Sequence, residues 1–232
     1  MSTDRAGLGL DAGDLDRVIA TALDEDLGYG PDATTAACVP AGAIATGTVS
    51  PRTPGTLAGL PAFLAVLDAV LGADGYEITA RRQDADRLAA GEVALAVRAP
   101  VAGLLTAERT ALNLLCHLSG VATATAAWVA AVAGTGTSIR DSRKTLPGLR
   151  ALQKYAVRCG GGANHRMGLG DAVLIKDNHV TAAGSDTELE ASGRLTLDVA
   201  RAYAKTGVRY LAVGGLTHSA PALDLGLDLS ST

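Results

Sequence analysis

Aromatic side chains are scarce: one Phe, five Tyr and one Trp among 232 residues. A core built under that constraint relies on Ala, Val and Leu, which suits close-packed helices and buried strands. The scarcity also argues against single-stranded nucleic acid as a partner, because such sites stack bases on aromatic rings. Cysteine is sparse too. Cys38, Cys116 and Cys159 are odd in number, widely spaced and without a CxxC, so neither a disulfide framework nor a zinc site is expected. No run of about 18 uncharged, strongly apolar residues stands out. The best candidate, Val121 to Gly136, is mostly Ala, Thr and Gly, so no membrane span is expected. The opening MSTDRAGLGLDAGDLD is acidic and lacks a basic region followed by an apolar one, so it is not read as a secretory signal. A cytoplasmic location follows as the expectation. There is no Ser-His-Asp or HExxH constellation, no GK[ST] after a glycine run, and no internal repeat.

What the chain does have is 48% apolar and 19% charged residues, a balance that excludes intrinsic disorder. Its length supports a proper core. Net charge is −4, unevenly spread. From Arg140 to Lys176, eight basic residues face two acids, a local +6, whereas the rest of the chain carries −10. A concentrated positive region in an acidic protein points to a small, highly anionic ligand. The competing possibility is a solvated helix face.

Apolar residues at helical spacing predict a helix over Leu15 to Leu27, ended by Gly28-Tyr29-Gly30-Pro31. Short strands are expected at Ala43 to Ser50, Gly55 to Gly59, Tyr76 to Arg82 and Val93 to Val97, with a helix over Pro61 to Leu71. Thr106 is a possible cap for a helix containing Leu112, Leu115 and Leu118, with Gly120 interrupting it. Beyond Gly134 the character changes. Strands at Ser138 to Asp141, Ala172 to Ile175 and Arg209 to Val213 alternate with helices at Leu149 to Val157 and Leu195 to Lys205, which implies parallel β/α units.

In such units the chemistry sits just past the C-terminal ends of the strands. Arg143 and Lys144 follow one strand directly, and two cations there repel unless an anion lies between them. The alternative is a pair of solvated charges. Lys176 ends an apolar run and either snorkels outward or faces the mouth, with His179 three residues on. Gly160-Gly161-Gly162 before Asn164-His165-Arg166 would let backbone approach a ligand, or would be a flexible loop. Ser192-Gly193 precedes a helix near Thr196, and Gly214-Gly215 follows the last strand, positions that can cradle a phosphate. His117 and Cys116 fall in an apolar helical pattern and are read as packing residues.

Several long segments resemble the quinolinate phosphoribosyltransferase family: ERTALNLLCHLSGVATATAAWV, IRDSRKTLPGLRALQKYAVRCGGGANHRMGLGDAVLIKDNHV, EDLGYGPDATT near the start and ASGRLTLDVARAYAKTGVRYLAVGGLTHSAPALDLGLDL near the end. Together they cover nearly the whole chain. The resemblance implies an α/β fold, an N-terminal α/β sandwich (residues 1–112) plus an incomplete parallel β/α barrel (113–232), the last residues packing back on the sandwich. It implies a pentosyltransferase that joins quinolinate to phosphoribosyl pyrophosphate with Mg²⁺, releases pyrophosphate and CO₂, and leaves nicotinate mononucleotide for NAD biosynthesis. It implies a homodimer or higher homo-oligomer, with Arg109 entering the neighbouring site, and neither nucleic acid nor membrane as partner.

Matched by motif, Ser142, Arg143, Lys144, His165, Arg166 and Lys176 are the expected quinolinate and pyrophosphate contacts, Lys144 and Lys176 acting in catalysis. Ser192, Gly193, Arg194, Val213, Gly214 and Gly215 are the expected phosphate cradle. One departure stands out. After Lys176-Asp177-Asn178-His179 the chain passes through TAAGSDTELEASG straight into the late motif. The family has about two further β/α units there, ~50 residues at the usual size of a unit. Their Glu and Asp serve the ribose and Mg²⁺, and neither Asp186 nor Glu188 is expected to replace them, since neither follows a buried strand. A degenerate member that binds a dicarboxylate, a phosphate or an intact paralogue without turnover is the alternative.

Overall fold

The computed structural model describes residues 9–171 and 188–231. The expected strand Ala172 to Ile175, the Lys176-Asp177-Asn178-His179 motif and Asp186 lie outside the described residues.

The first part is a mixed layer. Helix α1 (Ala12–Leu27) is capped by Asp11, whose carboxylate accepts from the Asp14 N–H at 2.8 Å. A short α2 (Ala33–Cys38) follows, capped by Asp32. Strand β1 (Ile44–Pro51) alternates between buried and half-buried positions, so one face meets the helices. A short β2 (Gly55–Thr56) precedes α3 (Leu60–Leu71), then come β3 (Glu77–Arg81), β4 (Arg87–Leu88) and β5 (Leu95–Pro100). Apolar residues of α3, from Leu60 to Leu67, are buried almost continuously, each such side chain contributing about 1.5–3 kcal/mol of transfer free energy before entropy is subtracted. Asp84 closes the start of α3, accepting from Gly59 N (2.8 Å) and Leu60 N (3.1 Å).

Helix α4 (Val101–Ala131) runs unbroken for 31 residues and forms the spine of the molecule. It corrects two expectations. It starts after Pro100, so Thr106 lies inside it and is no cap. Gly120 does not interrupt it; a Cβ there would lie 2.1 Å from Pro221 O, so the glycine lets the late chain cross close to the helix. By length and composition α4 could cross a membrane, yet Leu104, Leu112, Leu115, Leu118 and Val121 are buried in the protein core. Position 112 falls within α4, which packs against both parts of the chain.

After α4 come β6 (Ser138–Arg140), α5 (Arg150–Cys159), β7 (Glu190–Ser192), α6 (Leu197–Ala204), β8 (Tyr210–Ala212), α7 (Gly215–His218) and β9 (Leu225–Ser231). β6, β8 and β7 form a parallel sheet in that order, with Arg140, Ala212 and Ser192 level at their C-terminal ends. Ala163 adds a bridge on the other side of Arg140. Among the described residues these strands do not close into a barrel. β9 returns to the first part and pairs antiparallel with β1, completing the sheet β3-β5-β1-β9. Tyr155 of α5 donates to Asp84 at 2.5 Å, tying α5 to the start of α3. Burial raises the carboxyl pKa of Asp84 against the pull of its hydrogen-bond donors, and lifts the Cys159 thiol to about 12. All three cysteines are free.

Candidate active site

Three parallel strands ending at one level deliver three loops to one place. A cavity of ≈ 840 Å³ opens there. Its walls include Ser142, Arg143 and Lys144 after β6, and Ser192, Gly193 and Arg194 at the end of β7. Val213, Gly214 and Gly215 follow β8, and His165 and Arg166 come from the segment after α5. Eleven of the thirteen residues singled out by the sequence are therefore brought together. Arg109 is not among them; it is exposed on α4, away from this cavity. Lys176 is outside the described residues.

Among the described residues, the cavity lining carries four cations, Arg143, Lys144, Arg166 and Arg194, against one carboxylate, Glu190. Arg143 Nε is buried with no hydrogen-bond partner among the described residues. A buried guanidinium N–H without an acceptor is costly, and an anionic ligand would supply one. Lys144 is anchored at its backbone, where Ser142 Oγ accepts from its N–H at 3.1 Å. Its stem lies against the turn after β8: a Cβ on Gly214 would sit 2.9 Å from Lys144 Cδ. Gly193 (φ +104) and Arg194 (φ +48) both take left-handed backbone, which for an arginine is a strained choice.

Two lining residues with ionisable side chains, Glu190 and His218, were not foreseen. Glu190 pairs with Arg140 (3.6 Å) and His165 (3.5 Å), and Arg140 stacks over the Tyr210 ring, 3.3 Å from its centroid. Its strand of three residues is too short to show alternation, so only its position before Ser192-Gly193 hinted at it. His218, on the short α7, likewise lines the cavity and contacts Ser219. Glu188 turns instead toward Arg209, 4.0 Å away at the surface.

Helix α5 holds the loops from behind. Arg150, Gln153 and Lys154 share one face at i, i+3 and i+4. Arg150 donates to Thr145 Oγ1 (3.0 Å) and Met167 O (2.9 Å), joining two loops. Lys154 is fully buried and donates to Asp141 Oδ1 (2.5 Å) and His165 O (2.7 Å). Asp141 also accepts from Asn164 Nδ2 (2.6 Å) and His165 N (2.8 Å). Burial lowers the Lys154 pKa, and the Asp141 carboxylate opposes that shift. The glycine run has a different task from the one the sequence suggested. A Cβ on Gly160 would lie 2.5 Å from Ala122 O, and one on Gly162 2.8 Å from Thr125 Cγ2. These glycines admit α4, not a ligand.

Fold and cavity define a protein with a cation-lined pocket, of a kind suited to a small polyanion, at the C-terminal ends of parallel β/α strands. Comparison with known proteins makes this specific. Residues 32–119 match the quinolinate phosphoribosyl transferase N-terminal domain, and residues 121–189 and 185–228 match its C-terminal domain. The chain is 49% identical to the nicotinate-nucleotide pyrophosphorylase [carboxylating] of Mycobacterium leprae, over 91% of this chain and 95% of that protein. Its fold matches NadC from Streptococcus pyogenes with a TM-score of 0.85 at 30% identity, covering 96% and 100% of the two chains. It matches the nicotinate-nucleotide pyrophosphorylase of Francisella tularensis with a TM-score of 0.83 at 30% identity, covering 94% and 96%. The chain belongs to the quinolinate phosphoribosyl transferase family.

The alignment with the M. leprae protein spans 271 positions, more than the 232 residues present here, so parts of that protein have no counterpart. The C-terminal domain match is split in two pieces that meet at 185–189, where the sequence showed its shortfall. Among the described residues no three His, Cys, Asp or Glu side chains assemble, and Glu190 is engaged by Arg140 and His165. These residues do not fit a resident Mg²⁺.

Proposed function

We propose that this protein transfers the phosphoribosyl group of phosphoribosyl pyrophosphate to quinolinate and decarboxylates the product, giving nicotinate mononucleotide, pyrophosphate and CO₂ in NAD biosynthesis. The observation that supports this reading is the convergence of four cations from separate loops on one cavity, with Arg143 Nε left without an acceptor among the described residues. Quinolinate has two carboxylates, and its co-substrate has a phosphate and a pyrophosphate. Arg143 and Arg166 present planar forks suited to carboxylates. Lys144 is a point charge at the meeting of the two halves, placed to hold pyrophosphate as it departs. Ser192, Gly193, Arg194 and the Val213-Gly214-Gly215 turn take the 5′-phosphate, and Lys176 adds a further cation.

The pyridine nitrogen attacks C1 of the ribose as the C–O bond to pyrophosphate breaks. Cations on the departing group stabilise that transition state. The C2–carboxyl bond then breaks, CO₂ leaves, the pyridinium nitrogen stabilises the electron pair at C2, and a proton replaces the carboxyl. Arg109 serves a neighbouring subunit in a homodimer or larger homo-oligomer, and the reaction belongs to the cytoplasm.

The test is direct. Purified protein is incubated with quinolinate, phosphoribosyl pyrophosphate and Mg²⁺, and nicotinate mononucleotide is measured by chromatography. Sustained product formation is expected. Calorimetric binding of quinolinate without any product would instead identify a binding protein that has lost turnover.

A further inference from the structure

Gln153 neither lines the cavity nor carries charge, yet it is fully buried and each of its amide hydrogen-bonding groups is committed. Its Oε1 accepts from Leu146 N at 2.9 Å, in the loop that carries Arg143 and Lys144. Its Nε2 donates to Thr217 O at 2.6 Å, on the helix that follows Gly214. The second Nε2 proton meets His117 Nε2 at 2.8 Å. Burial holds the His117 pKa below its usual value, which favours the neutral ring, and opposite the amide N–H its Nε2 is the acceptor. A reversed amide would set donor against donor at Leu146, which fixes the orientation.

Thr217 answers from the other side. Its Oγ1 donates to Lys144 O at 2.7 Å. Lys144, Thr217, Gln153 and Leu146 thus form a closed ring of contacts between the loop after β6 and the turn after β8. Within it, Gly214 and the Lys144 stem lie in close contact.

We propose that Gln153, working through Thr217, is a positioning residue that couples the carboxylate-binding and phosphate-binding halves of the cavity. The inference rests on the function proposed above. A ligand that orders either loop orders the other through this ring, so the second ligand binds to a half already arranged for it.

The experiment titrates quinolinate by calorimetry, without and with saturating ribose 5-phosphate, into the wild type and three variants. In the wild type ribose 5-phosphate is expected to tighten quinolinate binding about fivefold or more. In Gln153→Leu and Thr217→Val the factor falls to about one, and Thr217→Ser, which keeps the hydroxyl, retains it. A double variant Gln153→Leu/Thr217→Val behaves like either single one. If Gln153→Leu does not fold, the Thr217 pair decides the matter alone. Quinolinate binding that ignores ribose 5-phosphate in the wild type, or coupling that survives Thr217→Val, overturns the proposal and leaves the proposed function standing. No quinolinate binding by the wild type overturns both. A merely structural role for the ring would lower stability or weaken both ligands equally, without moving the factor.

Discussion

Lys144 and Gly214 stand where the two halves of the cavity touch. Lys144→Ala removes a charge from the departing pyrophosphate and is expected to lower kcat/KM by more than roughly tenfold, measured by steady-state kinetics. A neutral result would remove Lys144 from the site. Gly214→Ala places a methyl 2.9 Å from Lys144 Cδ without a left-handed backbone to strain. The flexible lysine stem gives way, so thermal unfolding should change by less than about 1 kcal/mol while kcat/KM falls about tenfold from misplacement of the ammonium. Unchanged kinetics would show that the Lys144 stem has slack. Most of these side chains were legible in the sequence because strand ends followed by polar runs carry them in consecutive positions. Glu190 and His218 were not, since a three-residue strand and a four-residue helix leave no period to detect. Gly160-Gly161-Gly162 announced a close approach, but a sequence does not say what approaches; here it is the α4 backbone at Ala122.

Among the elements, α5 deserves the closest test, because Lys154 and Asp141 are both fully enclosed behind the loops. Lys154→Met leaves the Asp141 carboxylate without its cation and is expected to cost about 3–5 kcal/mol, read as a lower urea midpoint. Asn164 and His165 still donate to Asp141, which places the loss toward the lower bound. The paired variant Asp141→Leu/Lys154→Met should recover part of it. If Lys154→Met is as stable as the wild type, the pair does not secure the loop. Helices were the legible elements: α1, α3, α5 and α6 follow their apolar spacing closely. The start of α4 was not, because Pro100 fixes it through backbone geometry and not through a side-chain cap. β7 and β9 escaped because their pairing is set by partners far along the chain.

For the whole molecule, the location of Arg109 outside its own cavity makes a prediction about assembly. Arg109→Ala and Lys144→Ala should each be nearly inactive alone. Mixed after dissociation, they should regain about a quarter of wild-type activity, since a random dimer population has one intact site in each mixed pair. No recovery in a mixture shown by native mass spectrometry to contain mixed dimers would place Arg109 outside the partner's site. An incomplete barrel was expected from the family resemblance, but the sequence did not reveal how the strands meet. The answer is that β8 hydrogen-bonds directly to β6, Arg140 level with Ala212. The first strand of these units and the last are immediate neighbours in space. The gap between Arg143 and Gly214 is therefore governed by one ladder of backbone bonds, and chain length on the far arc is a separate variable. Trimming or extending that arc should leave this seam, and the cation it presents, where they are.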